Sequence, residues 1–220
     1  MALMTSSPPS RVGRPALIRR LTRRDIIPIT LDLIYGAWPQ ACSHPLINPA
    51  SSEPEMAGAL FQALWKLKKE RGIEGPPHII CEAASRSDES LLIPDGRIDF
   101  KLIYDYDREA YFSIECKRIS ATDGTLANLY ITQGIVRFTS GKYAGGHDWA
   151  AMLAFVIDKN PTGAAKLVNT RIEEFPTETY LVGTVIVETA FGSRSHLYRS
   201  NHRPSHSRNG LNILHLYVSV

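Results

Sequence analysis

The sequence predicts an α/β domain: a central mixed β-sheet flanked by helices, with a β-rich extension toward the C-terminus. Three observations carry that expectation. Residues 51–69 place apolar side chains at helical spacing. Residues 98–118 form two alternating runs about a short polar turn, and residues 149–157 are almost continuously apolar. With 220 residues the chain suffices for one domain with a substantial core.

Residues 1–27 read as a basic N-terminal arm, suited to a mobile tail or to phosphate contact. Arg11, Arg14, Arg19, Arg20, Arg23 and Arg24 fall in the first 24 positions, which hold no acid. Residues 28–220 read as a single domain, its core over about 51–157 and a C-terminal elaboration over 158–220. Residues 28–50 mix apolar side chains with Pro and Gly and receive no element. A helix starts near Ser51 or Ser52, either of which can cap it, with Pro54 tolerated in the first turn. Met56, Ala57, Leu60, Phe61, Leu64 and Leu67 form its apolar face, and Gly72 and Gly75-Pro76-Pro77 end it.

His78–Ala84 is a short strand, and Arg86–Ser90 a polar loop. In the next strand, over Ile98–Tyr106, Ile98, Phe100, Leu102, Tyr104 and Tyr106 take one face, and Asp99, Lys101, Ile103 and Asp105 the other. After a turn at Asp107-Arg108-Glu109, over Ala110–Arg118, Ala110, Phe112, Ile114 and Cys116 alternate with Tyr111, Ser113, Glu115 and Lys117, which makes a hairpin. A helix is expected over Leu126–Phe138, and a strand buried on both faces over Trp149–Ile157. A helix over Thr162–Glu174 follows, then strands at Tyr180–Val187, His196–Ser200 and Leu211–Val220.

Several function classes are disfavoured. No apolar run is long enough to span a bilayer, so no membrane association is expected. Cys42, Cys81 and Cys116 are odd in number and widely spaced, which excludes a disulfide framework or zinc ribbon and fits a reducing, cytoplasmic setting. No Gly-rich phosphate loop supports ATP use. His202 and His206 have zinc-ligand spacing but lack paired cysteines. With Arg194, Arg199, Arg203 and Arg208 around them, the segment reads as a basic loop, and His215 as structural.

The hairpin carries the chemistry. With its turn near Arg108, Asp99 lies across from Glu115 or Lys117, and strand parity puts all three on one face. Two carboxylates held together repel unless a cation joins them. Mg²⁺ or Mn²⁺ would take oxygens from Asp99, Glu115 and the backbone carbonyl of Cys116, whose thiol points to the opposite, apolar face. Lys117 would orient the attacking water or stabilise transition-state charge.

Asp99 followed by Glu115-x-Lys117 on the next strand resembles the PD-(D/E)XK nuclease superfamily and its restriction-endonuclease-like fold. The similar stretch runs from about Ser51 to Ile157: helix, three antiparallel strands, helix, and a strand parallel to the third. Pro94-Asp95 matches the literal motif, but Asp99 is preferred because it lies inside the strand. The resemblance implies an acid on the first helix. Glu53 shares the sheet-facing side with Ala57 and Leu60, whereas Glu55 does not, so Glu53 is chosen as the additional metal ligand or water-holding acid. It also implies polar residues facing the site from the next helix: Tyr130, Gln133 and Arg137 by helical spacing, in an order unlike the family's Gln-x-x-x-Tyr, and Lys142 beyond them. The implied activity is Mg-dependent DNA hydrolysis, endonucleolytic rather than exonucleolytic, in restriction or anti-phage defence. A homodimer or larger defence complex would suit it. The alternative is a catalytically silent nucleic-acid-binding module or assembly subunit on the same fold.

Overall fold

The computed structural model describes residues 22–85, 96–105, 111–143, 147–192, 194–205, 207 and 209–220. The four arginines expected at positions 11–20, the loop 86–90, Asp95 and the turn 107–109 lie outside them.

The first helix, α1 (Arg23–Ala41), fills a stretch to which sequence patterning assigned nothing. It starts at a capping box in which Thr22 N and Oγ1 donate to Asp25 Oδ2 at 2.9 and 2.7 Å. Pro28 and Pro39 lie inside it and mask its helical pattern. Ile26 and Ile27 are buried in the core, so the N-terminal arm cannot reach residue 27 as expected. α2 (Glu53–Glu70) starts at Ser52, whose N–H and hydroxyl both donate to Glu55 Oε2 at 2.8 Å.

β1 (His78–Ser85), β2 (Gly96–Ile103) and β3 (Tyr111–Ile119) form an antiparallel meander. A helical rod follows over residues 124–139: α3 (Gly124–Tyr130), a π-turn (Ile131–Ile135) and α4 (Val136–Thr139). β4 (Trp149–Val156) then runs parallel to β3. α5 (Pro161–Ile172), α6 (Pro176–Thr179), β5 (Ile186–Val187), β6 (Leu197–His202) and β7 (Leu211–Ser219) complete the chain.

The seven strands form one mixed sheet in the order β1-β2-β3-β4-β7-β6-β5. β7 lies parallel to β4 along its whole length, from Trp149↔Asn212 to Val156↔Ser219. The segment 158–220 is therefore part of the main sheet and core, not an elaboration beside them. The strand expected over 180–187 shrinks to two residues and one bridge, Leu181↔His202.

Helices cover both faces. α1 and α2 pack on Phe100, Leu102, Phe112, Ile114, Cys116, Leu153, Phe155, Leu214 and Leu216. The helical rod and α5 pack on Met152, Ala154, Val156, Ile213 and Tyr217. β4 is buried on both sides, which explains its unbroken apolar run. β2 departs from its expected alternation. Phe100, Leu102 and Tyr104 face α1 and α2, but Ile98 packs with the opposite cluster. The reversal falls at Asp99, where the strand leaves its neighbour.

A buried polar chain ties the C-terminal strands to the rest. His202 Nδ1 meets the Thr179 carbonyl at 2.6 Å, and that acceptor requires a proton on Nδ1. His202 Nε2 must then accept from Ser200 Oγ at 2.6 Å, Ser200 accept from His215 Nε2 at 2.7 Å, and His215 Nδ1 accept from the Tyr130 hydroxyl at 2.9 Å. Burial pushes His202 down to about 4 and His215 to about 3, so both rings stay neutral near pH 7. Replacing Ser200 by Ala strands two imidazole nitrogens. Urea unfolding should show a loss of about 1–3 kcal/mol, and an unchanged midpoint would count against the chain as a stabilising element.

Candidate active site

The site forms where two strands part. The β2–β3 ladder ends at Phe100↔Ile114, whereas β3 stays paired with β4 as far as Ile119↔Val156. One more step of the ladder would set Asp99 against Glu115. On β1, Glu82 takes a φ of 53° between the paired residues Cys81 and Ala83, so the bend is shared by the neighbouring strand.

From Glu115 onward, β3 thus lacks a strand neighbour on its β2 side, and its backbone groups need other partners. Side chains provide them. Asp99 Oδ2 accepts the Cys116 N–H at 2.6 Å, and Glu53 Oε1 accepts the Arg118 N–H at 3.0 Å. The Cys116 carbonyl accepts from Lys117 Nζ at 2.7 Å. Four of the expected site residues, Asp99, Glu53, Cys116 and Lys117, therefore meet at the open edge of one strand.

Lys117 Nζ also donates to Glu115 Oε1 at 2.7 Å and to Glu53 Oε2 at 3.3 Å. Arg137 reaches the same Glu115 oxygen at 2.6 Å. Glu115 is only 1% exposed, and its second oxygen, Oε2, has no hydrogen-bond partner. The Tyr143 hydroxyl accepts from Arg137 at 3.0 Å and donates to the Arg97 carbonyl at 2.6 Å, which fixes the guanidinium from behind. Glu53 joins the cluster and Glu55 caps α2, the division expected from their helical faces.

Burial dominates the electrostatics. It pushes Glu115 up to about 7, with the Asp99 charge adding to the effect and Lys117 and Arg137 opposing it. Asp99 is raised as well, by burial against the favourable Cys116 N–H. Burial would lower Lys117, but the carboxylates of Glu115 and Glu53 outweigh it and hold the ammonium charged. The Cys116 thiol lies in the apolar cluster under α1 and α2, and burial raises it well above its ordinary value, so it has no nucleophilic character.

The residues fit a hard divalent cation. Three carboxylates face two cations, which leaves an excess negative charge when all are ionised. A buried carboxylate oxygen without a partner is available at Glu115. Among the described residues no group of three or more His, Cys, Asp or Glu side chains is arranged as a ready-made cage. Mg²⁺ needs none, because one or two carboxylates with waters and substrate oxygens suffice.

Not every expected contact residue reaches the site. Tyr130 is fully buried and bonded to His215, so it cannot touch nucleic acid as expected. The cause is the π-turn. Its wider winding rotates the residues after Tyr130, so Tyr130 and Arg137 no longer share a face. Gly134 turns toward the sheet instead: a Cβ there would strike Met152 Cε and lie 3.6 Å from Lys117 Cγ. Gln133 projects to solvent, and Lys142 is half-buried in the loop after α4. Arg137, of which a phosphate contact was expected, pairs with Glu115 itself. Tyr143, in the Gly-rich loop expected with Lys142 to touch nucleic acid, is buried and supports Arg137 instead, a contact that no sequence spacing marks. In the expected basic loop, Arg194 pairs with Asp32 and Arg199 with Glu188. His202 is buried in the polar chain, and His206 and Arg208 lie outside the described residues.

No protein-family model, no curated protein and no solved structure matches this chain.

The raised Glu115 carboxyl makes a pH prediction. Between its ordinary value of 4.5 and about 7, the folded state holds this proton while the unfolded state has released it. Stability therefore falls as pH rises through that window and levels off above it. In metal-free buffer, the melting temperature of the wild type should drop relative to Glu115→Gln across the window. A constant difference between the two proteins would rule out the raised value.

Proposed function

We propose that the chain is a metal-dependent nuclease that hydrolyses DNA phosphodiester bonds internally, with Mg²⁺ or Mn²⁺. The observation that carries this reading is the gathering of Asp99, Glu115, the Cys116 carbonyl and Lys117 where β2 leaves β3. The order α2, three antiparallel strands, helix and a parallel β4 supports it, being that of a restriction-endonuclease-like core.

Asp99, Glu115 and the Cys116 carbonyl would hold the ion, which supplies Lewis acidity and an acidified water. The rest falls to the chain's own groups. Lys117 and Arg137 bring positive charge to the phosphate as its charge grows in the transition state. Glu53 restrains Lys117 and the Arg118 backbone, so the ammonium keeps its place on the strand edge. Tyr143 keeps Arg137 from swinging toward solvent. The water oxygen adds to phosphorus, one phosphorus–oxygen ester bond breaks, and the displaced sugar oxygen takes up a proton. A cytoplasmic role in restriction or defence, as a homodimer or in a larger complex, belongs to the same reading. No helix among the described residues is long and apolar enough to cross a membrane.

A second reading draws on one observation. All the donors of Lys117 are spent on protein oxygens, as in a purely structural ion cluster. A catalytically silent nucleic-acid-binding module or assembly subunit would look this way.

Incubation with plasmid, linear duplex and RNA separates the two. Cleavage of DNA is expected with Mg²⁺ or Mn²⁺ and none with chelator. Glu115→Ala and Lys117→Ala should each lower the rate by about a hundred-fold or more, and Glu55→Gln should leave it unchanged. Folded protein that cuts no substrate and binds no divalent ion ends the catalytic reading. DNA binding that persists in both alanine variants would then favour the silent module.

A further inference from the structure

The donors of Lys117 hold a consequence for how the site is switched on. A lysine ammonium has three N–H donors. Here they meet Glu115 Oε1 at 2.7 Å, the Cys116 carbonyl at 2.7 Å and Glu53 Oε2 at 3.3 Å. Lys117 in this state has no donor left for a water or a phosphate. Two of its three acceptors, Glu115 and the Cys116 carbonyl, are also oxygens assigned to the ion. The ammonium and the ion therefore compete for the same atoms.

We propose that Lys117 is a built-in latch: its ammonium occupies the divalent-cation ligands of the free protein, and binding of the cation releases it toward the scissile phosphate. This inference rests on the nuclease reading and specifies how that site is regulated. The geometry around Lys117 suits a latch. Its stem runs beneath Gly134, where the π-turn comes close to the sheet, so the aliphatic part is held while the ammonium alone changes partners. Glu53 holds the ammonium at the longest of the three distances, and its Oε1 is already tied to the Arg118 N–H, so it can keep the released group near the strand edge. Arg137 remains on Glu115 Oε1, and the unpartnered Glu115 Oε2 gives the ion a first oxygen before the latch opens.

The latch makes a prediction opposite in sign to that for an ordinary supporting residue. Removing a group that merely orients ligands weakens metal binding, whereas removing a competitor strengthens it. Mn²⁺ titration by calorimetry on Lys117→Met should give a dissociation constant about ten-fold tighter than wild type, the scale expected from deleting a unit charge a few ångströms away in a partly screened site. Lys117→Gln, which keeps a polar head of similar length, should move the same way and serves if the Met variant does not fold. The wild type offers an independent readout. The ¹H–¹⁵N signal of the Lys117 ammonium should be observable without metal and should shift or vanish on adding Mg²⁺. Unchanged or weaker Mn²⁺ affinity in a folded variant, or an ammonium signal indifferent to Mg²⁺ that calorimetry shows to be bound, overturns the latch. Wild-type cleavage of DNA alongside either result leaves the nuclease reading standing. Absence of divalent-ion binding in wild type and variants removes both.

Discussion

Everything at the candidate site depends on β2 leaving β3 one residue too early. A strand edge cannot stay buried with unsatisfied N–H and C=O groups. Once the ladder stops at Phe100↔Ile114, the groups of Cys116 and Arg118 must find partners among side chains. The partners they find are acids and a lysine. In this way a backbone requirement gathers charged groups in the interior that would otherwise avoid one another. The same parting turns Ile98 to the other face of the sheet and opens the gap into which the Asp99 carboxylate points.

The charges so gathered are poor at stabilising the fold. Taking Glu115 and Lys117 out of water costs several kcal/mol per ion before any pairing is recovered. Glu115 keeps one oxygen without a partner, and burial raises its carboxyl despite two cations beside it. Apolar side chains of similar size would pack this end of the sheet at lower cost. A cluster that is expensive for folding and rich in unmet electrostatic demand is what makes this end of the sheet the candidate site.

Much of this was legible in the sequence, and the parts that were not have identifiable causes. The hairpin was readable because strand alternation is local, and the same parity assigned the Cys116 thiol to the core. Glu53 was separable from Glu55 because helical spacing gives each a face, and the Ser52–Glu55 capping box then claimed Glu55. Tyr130 was misplaced because a π-turn leaves no periodic trace: five residues of wider winding rotate everything after them. α1 was hidden by Pro28 and Pro39, which lower helix propensity that tertiary packing then overrides. Tyr143 acts through a backbone carbonyl 46 positions away, and no local pattern encodes that contact.

The position of β7 bears on how the molecule comes to be folded. It is the last strand in chain order among the described residues, yet it lies in the middle of the sheet between β4 and β6. As the chain leaves the ribosome, β4 emerges well before its partner and presents an apolar, unpaired edge to solvent. Until Leu211–Ser219 has been made, the strands β1 to β4 and the pair β5–β6 have no strand to join them. A sheet completed by its last-made strand leaves that apolar edge open longer than a sheet paired in chain order, and such open edges are where misassembly starts.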